Sequence, residues 1–322
     1  EINGKIQKVK TIDASSVTHI LFRSYLHQEK GFEIVTKDGK TYFVNLINAA
    51  SLDVLKMISM LPNFQHALIQ TVPHLEFTKR IRIQTKWKQG LVSNFEYLMQ
   101  LNFLGGRTFN ETTMYPVFPW IIKDYNSPTI DLNDPSIYRD LSIPIGAQTE
   151  KRLQELKSHI QDYITIRNVG FLYNTCYISP LCVYLWLIRL EPFTTLHIQL
   201  QSGKFDYAAR TFFSIPLVYN MVTTHLNDYR ELIPEFFYTS SFLENRNHFD
   251  LGSIHNKEIN DVSLPKWSKS AIDFVYIHRK ALESDYVNQH LNEWIDLIFG
   301  EKQKGPKAVE ANNTFDPCLY EN

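Results

Sequence analysis

A chain of 322 residues, 44% hydrophobic and 21% charged, is long enough to bury a sizeable core as one large domain or two modest ones. A formal net charge of −1 supplies no overall field to attract nucleic acid or an anionic bilayer. The three cysteines (Cys176, Cys182 and Cys318) lack metal-ligand and redox spacing and make a poor disulfide framework, which points to a reducing, intracellular compartment.

The first sixty residues carry strand patterns. Residues 19–26 are rich in β-formers, and 32–35 and 41–46 alternate apolar with polar side chains. Between the last two, Asp38-Gly39 offers the positive-φ residues of a tight hairpin. Leu52, Leu55, Ile58 and Leu61 then recur at helical spacing. Residues 62–73 mix apolar and polar side chains and read as a packed connector.

From Ile81 onward the pattern is mostly helical. Ser93-Asn94-Phe95-Glu96 is a capping box, and Gly105-Gly106 supplies the left-handed backbone that stops the helix. Pro116, Pro119, Pro128, Pro135 and Pro144 forbid one long helix in the residues that follow. A helix is expected over 150–164, with Leu153, Leu156, Ile160, Tyr163 and Ile164 on one stripe. Another starts at Ser179-Pro180 and should sit at the centre of the core. The longest apolar stretch, 181–188, falls short of the ~20 residues that span a bilayer. Two final helices are expected, one over 270–283 and one from Ser284 that presents Val287, Leu291, Trp294, Ile295 and Ile298 and stops at Gly300. No signal-peptide pattern, internal repeat or low-complexity tract is visible in these residues. The chain opens on Glu1 rather than Met and is expected to be a piece of a longer one.

Catalytic patterns are absent: no glycine-rich dinucleotide or phosphate loop, no His-Glu-x-x-His, no Gly-x-Ser-x-Gly. Ser202-Gly203-Lys204 lacks the glycines a phosphate loop needs. His278 and Asp273 share a helix face, but no nucleophile completes a triad. Glu231 and Glu235 flank a proline and could be drawn as an acid/base pair. The favoured reading is a rigid turn whose aromatics fill the core while its carboxylates bind backbone or arginine groups. Arg107, Arg139, Arg189 and Arg210 sit in apolar surroundings and should be internal clamps, Arg139 with Asp140 and Arg210 with Asp206.

Read in order, several motifs resemble those of the BEACH domain, found in large membrane-trafficking scaffolds. They are Asn-Phe-Glu-Tyr-Leu-Met-Gln-Leu-Asn from Asn94, Gly106-Arg107, and Tyr-Pro-Val-Phe-Pro-Trp from Tyr115 to Trp120. Arg-Asp-Leu-Ser-Ile-Pro-Ile-Gly from Arg139, Glu-Leu-Ile-Pro-Glu-Phe-Phe-Tyr from Glu231 and Trp-Ile-Asp-Leu-Ile-Phe-Gly from Trp294 complete the series. The likeness runs over 81–322, and the early strands resemble the later half of the pleckstrin-homology (PH)-like module that precedes such domains. It implies an α+β fold: a partial PH-like antiparallel β module with a C-terminal helix over 1–62, a connector over 63–80, and a mainly helical BEACH domain with an irregular core over 81–322, truncated at its C-terminal end. Asn102, Asn110, Asp124, Asp131 and Arg139 would pair the backbone of the buried irregular stretch. One segment departs: the family's His-Tyr-Gly-Thr-His-Tyr-Ser is here Leu-Tyr-Asn-Thr-Cys-Tyr-Ile from Leu172, so both histidines are gone, which argues against pH sensing or metal binding there.

The resemblance implies a non-enzymatic scaffold, cytoplasmic and peripheral on endomembranes, working in vesicle fusion or fission, lysosome-related organelles or autophagy. It implies no cofactor, metal or nucleic acid, and protein partners from the trafficking machinery. A WD-repeat region is expected beyond the C-terminal end. In the family the PH-like and BEACH parts dock, and the groove between them is the partner site. By that analogy the partner-contacting residues are Arg23, Tyr25, Lys86, Trp87 and Lys88. Asn94, Phe95, Glu96, Tyr97, Asn102, Arg107, Tyr115, Pro116, Trp120, Arg139, Glu231, Pro234, Glu235, Trp294 and Asp296 are structural motif residues. The alternative is a phosphoinositide-binding adaptor that uses Lys5, Lys8, Lys10, Lys37 and Lys40 of the PH-like module.

Overall fold

The fold is α+β. A computed structural model describes residues 10–26, 28–47, 49–72 and 82–320. Lys5, Lys8 and residues 73–80 of the expected connector lie outside them. The chain divides into two compact units, Glu1–Ile83 with Phe103–Glu111, and Gln84–Asn102 with Thr112–Asn322.

In the first unit, β1 (Val17–Tyr25), β2 (Gln28–Thr36) and β3 (Thr41–Asn45) form an antiparallel meander. Gly39 takes φ +78 at the β2–β3 turn, where the sequence placed its hairpin. The helix α1 (Ser51–Ser59) follows, and after it β4 (Leu68–Ile69) joins β1 in parallel, so the sheet order is β3-β2-β1-β4. The connector thus contributes a strand. Period two sorts the side chains. Ile20, Phe22 and Phe32 pack with Leu55 of α1, and a register shift between Val17 and His19 returns Val17 to that same cluster. Arg23 and Glu33, on the alternate positions, pair at 2.8 Å inside the unit. Phe103–Glu111 closes over them: Arg23 Nη1 donates to the Phe103 carbonyl, and Thr108 and Asn110 donate to Glu33 Oε1 at 2.7 and 2.6 Å.

The second unit is a helical shell around an irregular centre. Its helices are α2 (Ile83–Lys88, from Gln84 on), α3 (Asn94–Leu104, up to Asn102), α4 (Glu150–Ser158), α5 (Ile160–Arg167), α6 (Pro180–Trp186), α7 (Phe193–Leu200), α8 (Ile215–Thr224), α9 (Ala271–Leu282), α10 (Asp285–Ile298) and α11 (Pro306–Glu310). Ser179, Ser270 and Ser284 cap α6, α9 and α10, each accepting a backbone N–H one turn on. The expected single helix over 150–164 is two, because the turn tightens at His159, whose N–H reaches the Leu156 carbonyl. The expected stripe holds up to Tyr163, with Leu156 buried and Leu153, Ile160 and Tyr163 half-buried, while Ile164 is 39% exposed and Arg152 is buried as well. Arg152 donates to the Val222, His225 and Asp228 carbonyls and so satisfies the C-terminal end of α8, where a cation is favoured.

The proline-rich segment crosses the centre of this unit fully buried from Met114 to Ile122. Its backbone is paired all the same. Phe118 and Leu232 exchange both backbone bonds, Arg139 N–H reaches the Ile121 carbonyl and Lys123 N–H that of Ile137. Asn102 clamps Val117 from both sides, Oδ1 accepting its N–H and Nδ2 donating to its carbonyl. Asp124 and Asp131 accept backbone N–H groups as expected; Asn110 instead serves the first unit. Around this strand of chain Trp120, Trp186, Tyr219, Phe236 and Phe212 make edge and tilted ring contacts, Trp186–Phe236 at 4.9 Å.

One carboxylate joins these pieces. Glu231 accepts Arg139 Nη1 at 2.8 Å on both oxygens, the Trp120 backbone N–H at 3.0 Å and Trp294 Nε1 at 3.1 Å, with Arg139 and Glu231 at 0% and 2% exposure. The expected Arg139–Asp140 clamp is therefore corrected: Asp140 turns outward to Ser142, since a neighbour in sequence cannot reach the guanidinium inside the core. Arg139→Ala would leave Glu231 buried without its cation and is expected to lower unfolding free energy by about 3–5 kcal/mol in urea titrations. Arg139→Met combined with Glu231→Gln should recover part of that loss. A single variant as stable as the parent would refute the central role of the pair.

Candidate functional site

Two features of the second unit have chemistry left over after folding: an open cleft beside α2, α3 and α10, and a buried carboxylate at Glu235.

The cleft encloses about 760 Å³ and is lined by Gln84, Trp87, Lys88 and Gly90 from α2 and its turn, Val92, Ser93 and Asn94 at the start of α3, and Glu283, Asn288, Asn292 and Asp296 from α9 onward. The capping box forms as its spacing predicts: Glu96 accepts the Ser93 N–H at 2.9 Å and Ser93 Oγ accepts that of Glu96 at 3.2 Å. The next N–H groups of α3, on Asn94 and Phe95, go to the Glu283 carboxylate at 2.8 and 3.1 Å, a negative charge at the positive end of a helix. Arg279 donates to the same carboxylate and lies over the Phe95 ring.

Trp87 forms the floor. Its ring stacks on Tyr97 with centroids 4.5 Å apart and planes 12° apart. Its indole N–H donates to Asn94 Oδ1 at 2.6 Å. Asn94 Nδ2 in turn donates to the Leu282 carbonyl and to Asn288 Oδ1. Burial, and after it the nearby Asp296 carboxylate, push the Tyr97 hydroxyl up to about 12. Trp87 is half-buried and its neighbours Lys86 and Lys88 are exposed, so all three can meet another molecule.

Arg23 and Tyr25 belong to the first unit. Tyr25 is 37% exposed. Arg23 is fully buried, donating to Glu33 and to the Phe22 and Phe103 carbonyls, so its expected place on a contact surface is corrected: it is an internal residue of that unit. Of the lysines drawn for lipid binding, Lys40 pairs with Asp38, Lys10 lies over the Tyr42 ring at 4.4 Å, and Lys37 is exposed.

The remaining motif residues are structural in placement. Asn102, Tyr115, Pro116, Trp120, Arg139, Glu231, Pro234, Glu235 and Trp294 are buried, and Arg107 is half-buried. Glu231 and Glu235 do not face one another across an open site, each being bound to its own donors. Arg189 donates to the Asn260 and Phe212 carbonyls. Arg210 is corrected from a buried clamp to a surface residue, 70% exposed and 3.7 Å from Asp206. Ser202 and Gly203 take φ +59 and +91 and end α7, with Gly203 N–H on the Ile198 carbonyl, a helix stop rather than a phosphate loop. His278 meets Tyr125 at 3.2 Å rather than Asp273, and burial pushes its pKa down to about 3, so its ring stays neutral. Among the described residues no three His, Cys, Asp or Glu side chains gather as metal ligands would.

Sequence reading missed Glu33, Glu283, Asn288 and Asn292. Two signals were available. A glutamate inside the β2 pattern has nowhere polar to go unless it is paired, and Asn288, Asn292 and Asp296 recur every fourth residue along the last long helix.

Glu235 is the second feature. Its Oε1 accepts from Tyr115 at 2.6 Å and Tyr238 at 3.4 Å, while Oε2 is buried without a partner. Burial outweighs these bonds and pushes its pKa up to about 7 from an ordinary 4.5. The folded state thus holds the proton to higher pH than the unfolded chain. Its contribution to stability is complete below about pH 4.5 and is lost as pH rises through 7, up to about 3 kcal/mol. Glu235→Gln, which cannot ionise, is expected to remove that part of the decline between pH 5 and 8 in urea unfolding. Parallel pH profiles for parent and variant would contradict the assignment.

A family model described as "Beige/BEACH domain" matches residues 85–322. The chain is 45% identical over 238 residues to BEACH domain-containing protein B of Arabidopsis thaliana, an alignment that covers 73% of this chain and 9% of that relative's length. The chain therefore spans under a tenth of the curated relative it matches. Among the described residues no helix is long and apolar enough to cross a membrane.

Proposed function

Because the chain belongs to the Beige/BEACH domain family, we propose that it is a non-enzymatic scaffold of intracellular membrane traffic that binds other proteins through the Trp87 cleft. The observation that carries this reading is the contrast between the cleft and the core. In the core, the Glu231 carboxylate is bound on both oxygens by donors of the same unit. In the cleft, Trp87, Asn292 and Asp296 lie open around a space of about 760 Å³. A pocket of that size with aromatic and polar walls suits a side chain or a short segment of another protein. Vesicle fusion or fission, lysosome-related organelles and autophagy are the settings in which such a scaffold would work, with attachment to endomembranes through its partners.

Direct phosphoinositide binding by the first unit is the competing reading. Lys10, Lys37 and Lys40 are all exposed there, Lys10 over the Tyr42 ring and Lys40 in a surface pair with Asp38.

The test is capture of partners from lysate by the 322-residue chain and by Trp87→Ala. Trp87 is half-buried, so the variant is expected to stay folded by circular dichroism, destabilised by about 2 kcal/mol, and to lose trafficking proteins that the parent retains. An unchanged partner set, or an unfolded variant, would remove the cleft from the proposal. Flotation with phosphoinositide-containing vesicles but not with plain ones would favour the lipid reading instead.

A further inference from the structure

Asn288, Asn292 and Asp296 recur every fourth residue of α10, share one face of that helix, and all line the cleft together with Gln84 and Trp87 of α2. Their hydrogen-bonding capacity is unevenly used. Asn94 Nδ2 takes one lone pair of Asn288 Oδ1, while the Asn288 amide hydrogens are unused among the described residues. The side chains of Asn292 and Asp296 make no hydrogen bond among the described residues, and Asp296 has no ion-pair partner there either.

Asp296 lies close beneath the turn at Gly300. A Cβ on Gly300 would lie 2.7 Å from its Oδ1, so only glycine lets the chain turn this close to the carboxylate. Burial, then Glu301, raise its pKa, with Glu293 acting in the same direction and Lys302 and Lys307 opposing. Lys307 is itself bound to Glu301. Glu283 is bound by Arg279 and by two backbone N–H groups, which leaves Asp296 as the carboxylate with open capacity in the cleft lining.

We propose that this cleft binds an extended, basic segment of a partner protein, seating an arginine or lysine side chain against Trp87 and Asp296 while Asn288 and Asn292 hydrogen-bond its backbone. A carboxamide carries the same donor and acceptor as a peptide group and can pair with one. Side chains four apart on a helix stand about 5–6 Å from each other, close to the ~6.6 Å between alternate residues of an extended chain. An aromatic ring beside an unpaired carboxylate selects a cation by ring quadrupole and charge together. The lining holds one exposed cation, Lys88, beside the carboxylates Glu283 and Asp296, and an acidic segment would bring like charge to Asp296, Glu293 and Glu301.

The inference rests on the scaffold reading and narrows its partner class. The probe is the capped peptide acetyl-Gly-Ala-Arg-Ala-Gly-amide, with glutamate in place of arginine as control, titrated into the 322-residue chain while the Trp87 indole N–H signal is followed by NMR. The arginine peptide is expected to shift that signal at millimolar concentration and the glutamate peptide to leave it unmoved. Asp296→Asn should weaken the arginine peptide about tenfold, the loss of one charge-assisted hydrogen bond, and Asn292→Ala severalfold. Unchanged signals from the other tryptophans report that each variant is folded. Equal shifts by both peptides, no shift, or parental affinity in Asp296→Asn would overturn the proposal. Protein capture that survives Asp296→Asn but not Trp87→Ala would keep the scaffold reading and discard the basic segment.

Discussion

The second unit depends on the carboxylate of Glu231. A chain segment with five prolines between 116 and 144 cannot satisfy its backbone by helix formation, and burying it unpaired would cost several kcal/mol for each orphaned group. Glu231 addresses this at three points at once. It accepts the Trp120 N–H on the irregular segment, fixes Arg139 where that segment returns, and receives the Trp294 indole from α10. A buried ion pair alone is weak evidence for stability. Here the carboxylate also serves two uncharged donors, so its loss would unpair three elements rather than one.

The same accounting explains the other buried arginines. Arg152 lies against the carbonyls that end α8, and Arg189 against two carbonyls of irregular chain. Burial pushes both guanidinium pKa values down, Arg189 to about 10, which leaves Arg189 charged at neutral pH. A planar fork of donors can close several carbonyls where no helix or strand is available to do so, which lysine cannot match. Irregular backbone in this core is thus stabilised by side chains reaching over long sequence separations.

That is also why the sequence was legible in parts. The Asp38-Gly39 turn, the Ser93–Glu96 box and the serine caps of α6, α9 and α10 are local, and each formed where its spacing placed it. The α+β class and the family followed from motifs in order. Partners far apart in the chain were not legible. Arg139 was matched to adjacent Asp140 because nothing local points across ninety-two residues to Glu231. Arg23 read as a surface residue because its cover, Phe103–Glu111, arrives eighty residues later. The break at His159 and the two-residue strand Leu68–Ile69 leave almost no periodic signal. The cleft was half seen: Trp87 was singled out, whereas the wall from α10 lies about two hundred residues away and looked like an ordinary solvated helix face.

The demands of folding and the open cleft are linked through one side chain. Asn94 has an acceptor and two amide hydrogens, and all are in use: Oδ1 takes the Trp87 indole, and Nδ2 gives to Leu282 and to Asn288. Because both amide hydrogens are used, the Asn94 carboxamide cannot flip without breaking a buried bond to Leu282. Its orientation then dictates that of Trp87 and of Asn288 on the two walls. The cleft is therefore preorganised by the same residue that helps start α3, and a ligand entering it would not have to order the ring or the Asn288 amide. Asn292 and Asp296, one and two turns further along α10, have no such tether, and they are the groups left for recognition.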